Sequence, residues 1–225
     1  MLPREAQWFG KQLARIPVAE LYPLCNVGSA TRAFREETQP WIDRELFAPA
    51  RAALRRVVHV DMTQAEGVDM AGDLNEPAFI AKLAGQGFRS VLCANLLEHV
   101  ADPIRIAQDL LRILPAGGYL LISVPYRFPY HPDPIDTMFR PDPTQLSALF
   151  PGTRVMVSEV VAGGTMLGYV LGRAMRPRAL WRSLRGAGPE SIVEPPSPAQ
   201  RASPWRYVPW LVRQFEVSCV VLRKE

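Results

Sequence analysis

The sequence predicts an α/β protein in which a largely parallel sheet is covered by helices on both faces. Two observations predict it. Short apolar runs rich in β-branched residues alternate along the chain with segments of helical spacing, as in successive strand–helix–strand crossovers. The runs at 90–95 and 119–124 are apolar throughout rather than alternating, as strands covered on both faces are. In such sheets ligands bind beyond the carboxyl ends of the strands, where strand order reverses. Polar residues just past each run are therefore the ones to inspect.

Residues 4–16 have helical spacing, with Trp8, Phe9, Leu13 and Ile16 on the apolar side. Residues 24–29 are a short apolar run ending in a glycine turn, the first strand. One or two helices follow, the first broken at Pro40, and helical character resumes over 42–54. Residues 57–61 form a strand ending on Asp61, and 68–73 a weaker one ending on Asp73, before a short helix at 76–83. After the buried strand 90–95, Asp102 and Pro103 suit the N-cap and first turn of a helix running to Leu114. Its apolar face is read as Ile104, Ala107, Leu111 and Leu114, and the stretch 115–118 stops it. The strand 119–124 is closed by Pro125. A helix at 143–150 and strands at 154–161 and 215–222 complete the set, with Gly163, Gly164 and Gly168 in a loop.

Bulk properties bound the function. At 225 residues the chain suits one domain with a modest insertion, and 48% hydrophobic residues suffice for a core. The 22 prolines are about twice the usual share of ~5% and gather around 125–151 and 189–209, so both stretches are expected to be loop-rich. Cys25, Cys93 and Cys219 each lie in an apolar run, which reads as buried free thiols in a reducing compartment. No signal-peptide core opens the chain and no apolar run approaches ~20 residues, so a cytoplasmic protein is expected. The net charge of +4 is concentrated: residues 165–211 hold seven arginines against two acids. Basicity confined to one segment argues against a nucleic-acid partner. That segment, with Trp181, Trp205 and Trp210 among its arginines, reads as a cover over the site or as a peripheral membrane contact, the former preferred.

Candidate site residues follow the strand ends. Gly28 permits close approach of a ligand to the backbone, or merely turns the chain. Asp61 suits the diol of a ribose or a helix cap; Asp73 suits an adenine amino group or the cap of the next helix. Asn95 suits the amino-acid end of a nucleoside cofactor. His99 is a base, a cofactor contact or a structural pin. The proline-fixed string from His131 through Asp136 to Arg140 places a base, an acid and a cation within ten residues, past a strand end that also carries Tyr126. It addresses a substrate, or Asp136 and Arg140 simply pin the loop. His131 and Asp136 are the candidate catalytic pair, Tyr126 and Arg140 candidate substrate contacts. Three histidines far apart in the sequence and three cysteines in apolar runs give no metal-ligand spacing. Walker, Gly-x-Gly-x-x-Gly and nucleophile-elbow motifs are absent, which discourages a nucleotide-sugar or dinucleotide enzyme.

The run from Val91 through Leu96-Leu97-Glu98-His99-Val100, Asp102-Pro103 and Leu110-Leu111-Arg112-Ile113-Leu114-Pro115-Ala116-Gly117-Gly118 resembles the type 11 branch of class I S-adenosylmethionine-dependent methyltransferases. Val124-Pro125, His131, Pro134, Asp136 and Arg140 resemble a subset found among cell-surface polysaccharide genes. The strong resemblance covers about residues 90–150, with a weaker one back to Leu24. It implies a Rossmann-like three-layer sandwich whose seven-stranded sheet has its last strand antiparallel, with S-adenosyl-L-methionine as cofactor. It would place the methionine moiety at Asn26, Gly28, Ser29 and Thr31, the ribose on Asp61 beside Met62, and the adenine near Asp73 and Leu74. Asn95, Leu96 and His99 would lie toward the sulfonium. The pattern departs from the family's at Asn26, Ala30 and Arg32, where an acid and two glycines are usual, and at Arg89, where an aspartate commonly opens the fourth strand. The longer interval from Gly28 to Asp61 leaves room for an extra loop at Gln39-Pro40-Trp41 near the site.

The expected activity is methyl transfer to an oxygen or nitrogen of a small-molecule or glycan acceptor, in cell-surface polysaccharide or other secondary biosynthesis. The rival is a non-catalytic methyltransferase-like scaffold with a degenerate cofactor motif.

Overall fold

The computed structural model of the chain describes residues 1–131, 135–165, 167–168 and 209–225. Seven strands occur among them: β1 (Leu24–Val27), β2 (Val57–Asp61), β3 (Met70–Ala71), β4 (Ser90–Ala94), β5 (Tyr119–Arg127), β6 (Thr153–Thr165) and β7 (Gln214–Lys224). They form one sheet in the order β3-β2-β1-β4-β5-β7-β6. The first five run parallel, and β7 lies antiparallel between β5 and β6. Strand order therefore reverses between β1 and β4, the switch point at which open sheets bind ligands.

Side-chain alternation along the central strands divides the core into two layers. Val91 and Cys93 of β4 and Leu120, Ile122 and Val124 of β5 join Phe79, Ile80 and Leu83 of α4 (Pro77–Ala84) and Ile106, Ala107 and Leu110 of α5 (Pro103–Ile113). On the opposite face, Leu24, Leu92, Leu121 and Val217 join Ala6, Phe9 and Leu13 of α1 (Pro3–Leu13), with Leu46 and Phe47. Each Val, Leu, Ile or Phe side chain so withdrawn from water contributes about 1.5–3 kcal/mol, which makes the two-sided sheet the stable arrangement. The cysteines are free and buried, in β1, β4 and β7. Burial pushes the Cys25 thiol up to about 12, so it stays protonated.

Several local expectations are corrected. The buried face of α5 includes Ile106, Ala107, Leu110, Leu111 and Ile113, while Ile104 is 54% exposed, because the face centres on Leu110 and Ile104, in the first turn, lies about 120° around the helix from it. Asp102 does cap the helix, accepting from the Arg105 amide at 3.0 Å. Pro125 does not end its strand. It pairs opposite Val217, and the register shifts by Arg127, so the missing N–H is absorbed at an irregularity beside the site. Gly163 and Gly164 lie within β6, not a loop, at a second register shift. A Cβ on Gly163 would fall 2.1 Å from Leu2, so the absent side chain lets the N-terminus pack on this strand. Between β1 and β2 the helical stretches are π-helical turns, Phe34–Thr38 and Asp43–Phe47, followed by α3 (Ala48–Ala52); the earlier turns α2 (Val18–Leu21) and the later α6 (Pro143–Ala148) are short. The basic segment at about 165–211 falls almost wholly outside the described residues. Among those described, no helix is long and apolar enough to cross a membrane.

Candidate active site

The carboxyl ends of β1, β2, β4 and β5 lie side by side, and each delivers part of the candidate site. Past β1 the chain turns at Gly28, whose φ of +68° favours glycine and whose Cβ would sit 3.2 Å from the Leu96 side chain. Ser29 is buried and its hydroxyl donates to the Ala30 carbonyl; the Thr31 hydroxyl accepts from the Phe34 amide and so caps the next turn. Asn26 is buried inside β1 and its amide lies 3.0 Å from His59 Nδ1 on β2. Burial, reinforced by the Arg35 charge, lowers the His59 pKa to about 4, so this imidazole is neutral.

A residue not anticipated from sequence fixes this turn. Arg35 is buried and donates to three carbonyls: Ser29 at 2.9 Å, Ala30 at 2.6 Å and Gly67 at 2.8 Å. Asp61 completes the clamp, one carboxylate oxygen accepting the Ala30 amide at 2.8 Å and the other facing the Thr63 amide at 3.5 Å. Where the family pattern has glycines, this chain has a loop held by a buried cation and an acid. Met62 beside it is 70% exposed, an apolar side chain left open at the strand end. Asp73 does not cap α4. Its carboxylate accepts from the Asn75 amide and side chain, a local turn, and Leu74 packs partly on the core.

Asn95, past β4, has φ +52°, a conformation asparagine tolerates. Its side chain is committed inward, donating at 2.8 Å to Glu5 of α1. Glu5 is fully buried and also accepts from Ser123 Oγ at 2.6 Å and the Leu2 amide at 2.8 Å. The Asn95 side-chain N–H, expected to lie toward the sulfonium, is thus engaged by helix α1. The sequence offered a signal, since Glu5 shares the face of Phe9 and Leu13, four and eight residues on. The Gln39-Pro40-Trp41 loop likewise serves this helix. Gln39 Oε1 accepts from the terminal amine and Trp41 Nε1 donates to the Met1 carbonyl, so the loop anchors Met1 at the approach to α1.

Past β4 and β5 lies a cluster of titratable groups. Glu98 and His99 sit on a single 3₁₀ turn, Leu97–His99. Its backbone is tied to the later loop, the Glu98 carbonyl accepting from both the amide and the hydroxyl of Thr137. His99 Nδ1 contacts the Ile135 carbonyl. The His99 and His131 rings meet edge to face with centroids 5.2 Å apart. The wide sequence spacing of the histidines gave no metal-ligand pattern, yet His99 and His131 meet in the fold, because the Thr137 and Ile135 contacts bring the second loop onto the first. Asp136 and His131 are together, with His131 Nδ1 3.2 Å from Asp136 Oδ2. The same oxygen accepts from the His131 amide at 3.0 Å and from Arg140 at 2.6 Å. Tyr126 lies nearby on β5 beneath the Arg127 guanidinium.

Electrostatics differentiates these groups. Burial pushes the Asp136 carboxyl up, but the hydrogen bonds from Arg140 and from the His131 and Met138 amides outweigh it and hold the pKa below the ordinary value. Burial lowers the His131 pKa more than Asp136 raises it, leaving a neutral imidazole at neutral pH. Glu98 is fully buried, and no other described residue hydrogen-bonds its carboxylate; only its own N–H faces it. Burial raises its pKa to about 8. In the sequence Glu98 is one letter of a motif, and the burial of its charge is invisible there.

The strand order, with β7 antiparallel, is the Rossmann-like arrangement that the resemblance to class I methyltransferases implied. No family model matches the sequence, and no curated protein is significantly similar to it. Similar solved structures include an S-adenosylmethionine-dependent methyltransferase from Mesorhizobium loti, 12% identical over 97% of this chain and 98% of that one, TM-score 0.48. The N-methyltransferase NodS from Bradyrhizobium japonicum, in complex with S-adenosyl-L-homocysteine, is 12% identical over 96% and 86%, TM-score 0.45. The [4+2]-cyclase SpnF is 15% identical over 97% and 80%, TM-score 0.46.

Proposed function

We propose that this chain is an S-adenosylmethionine-dependent methyltransferase acting on a hydroxyl or amine of a small-molecule or glycan acceptor. The observation that carries the proposal is the convergence, across the strand-order switch, of the Gly28 turn and Asp61 with the His131–Asp136–Arg140 group. One side of the switch suits a nucleoside and the other suits proton transfer.

The residues present fit the cofactor's nucleoside half. Gly28 brings bare backbone to the strand end with the Leu96 side chain packed beside it, and Asp61, although it holds the Ala30 amide, keeps lone pairs for a diol. Gly28, Ser29, Asp61, Met62 and Leu96 would hold it. When bound, S-adenosylmethionine supplies an electrophilic methyl group on a sulfonium. The chain's own part is positioning and proton handling. Asp136 and the Pro129 carbonyl engage His131 Nδ1, which leaves Nε2 to take the proton of an acceptor hydroxyl. Arg140 keeps Asp136 ionised and the dyad in place. A glycan or lipid-linked glycan acceptor is the narrower proposal, supported by the sequence resemblance around His131 to Arg140, and a cytoplasmic location goes with it.

Isothermal calorimetry with S-adenosylmethionine tests the proposal: micromolar binding, weakened at least tenfold in Asp61→Ala, is expected. Absence of binding sinks it. A second function has a specific observation in its favour, since Arg35 and Glu5 commit the Ser29 carbonyl and the Asn95 side-chain amide to internal hydrogen bonds at the strand ends. Tight binding with no methyl transfer to any acceptor tested would favour this non-catalytic scaffold.

A further inference from the structure

We infer that Glu98, His99 and His131 form a binding site for one divalent transition ion, of the kind that takes two imidazoles and a carboxylate. The inference goes beyond the proposed methyl transfer and does not depend on it. With an ion bound, His131 Nε2 is a ligand and takes no proton, so the proton-accepting role proposed above belongs to the ion-free protein. Ligand atoms from the three residues all lie within 4.8 Å of one another. His99 Nε2 and Glu98 Oε1 are 3.6 Å apart. Two ligands each about 2.1 Å from a tetrahedral zinc ion stand ~3.4 Å apart, so this spacing needs little adjustment to share an ion.

Two further observations point to a ligand. Glu98 is fully exposed to neither water nor a donor from another described residue: it is 0% accessible and both its oxygens are unsatisfied by neighbours. Buried without a partner, this group is costly as an anion unless a proton or a metal cation joins it. The histidines, in turn, carry the outer contacts that metal ligands need. His99 Nδ1 is engaged by the Ile135 carbonyl, and His131 Nδ1 by Asp136 Oδ2 at 3.2 Å. Each imidazole is thus oriented through Nδ1 by a backbone carbonyl or a carboxylate, leaving Nε2 as its ligand nitrogen. Asp136 is itself fixed by Arg140, so the orientation of His131 is braced two residues deep. Three protein ligands leave at least one position open for a water or a substrate oxygen. Nitrogen and oxygen donors in this ratio suit zinc, cobalt or ferrous ions over magnesium or calcium.

The test uses the full chain, stripped with chelator and free of any methyl donor, so that its failure says nothing about cofactor binding. Calorimetric titration with Zn²⁺ is expected to give one equivalent bound. Glu98→Gln and His131→Ala are each expected to weaken binding at least tenfold, with far-UV circular dichroism unchanged. Co²⁺-loaded wild-type protein, which requires no variant to fold, is expected to show paramagnetically shifted exchangeable N–H resonances from two imidazoles. Binding no tighter than millimolar, variants that titrate like wild type, or shifted resonances from fewer than two histidines would overturn the site.

Discussion

At the carboxyl ends of β1 and β2 the turn is tied down from within, with Arg35 on three carbonyls and Asp61 on the Ala30 amide. At the ends of β4 and β5, by contrast, a buried carboxylate has no donor from another described residue, and two imidazoles crowd beside it. The first region buys its shape with internal hydrogen bonds and has few polar groups left over. The second holds polar groups whose burial is uncompensated inside the described chain. Native proteins rarely leave buried polar atoms unsatisfied, so the difference separates a preformed cradle from a site that awaits a ligand.

Breaking the first region should have the largest effect. Arg35→Ala strands three carbonyls and is expected to cost about 3–5 kcal/mol in urea denaturation. A loss below ~1 kcal/mol would show that the turn holds itself and that the clamp is incidental.

The second region is sharpened by pH. The folded chain keeps Glu98 protonated to about 8, whereas the unfolded chain ionises it in the usual glutamate range. Between those values the unfolded state binds fewer protons, so stability falls as pH rises and levels off above about 8. In chelator, wild type is expected to lose on the order of 2–4 kcal/mol more than Glu98→Gln between pH 5 and pH 8. Parallel urea profiles for the two proteins would mean that water or an unrecognised partner already solvates the carboxylate.

The smallest effect belongs to the boundary between the regions. Asn95→Ala removes one bond to the buried Glu5 carboxylate and is expected to lower stability by about 1–3 kcal/mol. Its affinity for S-adenosylmethionine should change less than that of Asp61→Ala. Equal losses in calorimetry would return Asn95 to the cofactor and break the assignment of its side chain to α1.

Periodicity and strand-end chemistry made much of this legible in advance. β2 falls at 57–61 as expected, Asp102 caps α5, and the sheet with one antiparallel strand follows the resemblance carried by residues 90–150. These features are written locally: apolar runs, caps and turns depend on neighbours in sequence. The string at 131–140 was also visible as a compact set of acid, base and cation. What the sequence by itself determined, then, was the layered α/β plan and which strand ends to examine. Only the tertiary structure decided that Glu5 would reach Asn95 across 90 residues, that Arg35 would replace glycines in holding the turn, and that His99 would meet His131 over an unsatisfied Glu98. The reason is physical: the state of a charged side chain depends on burial and on partners brought from distant segments, and neither is encoded in the spacing of residues along one element.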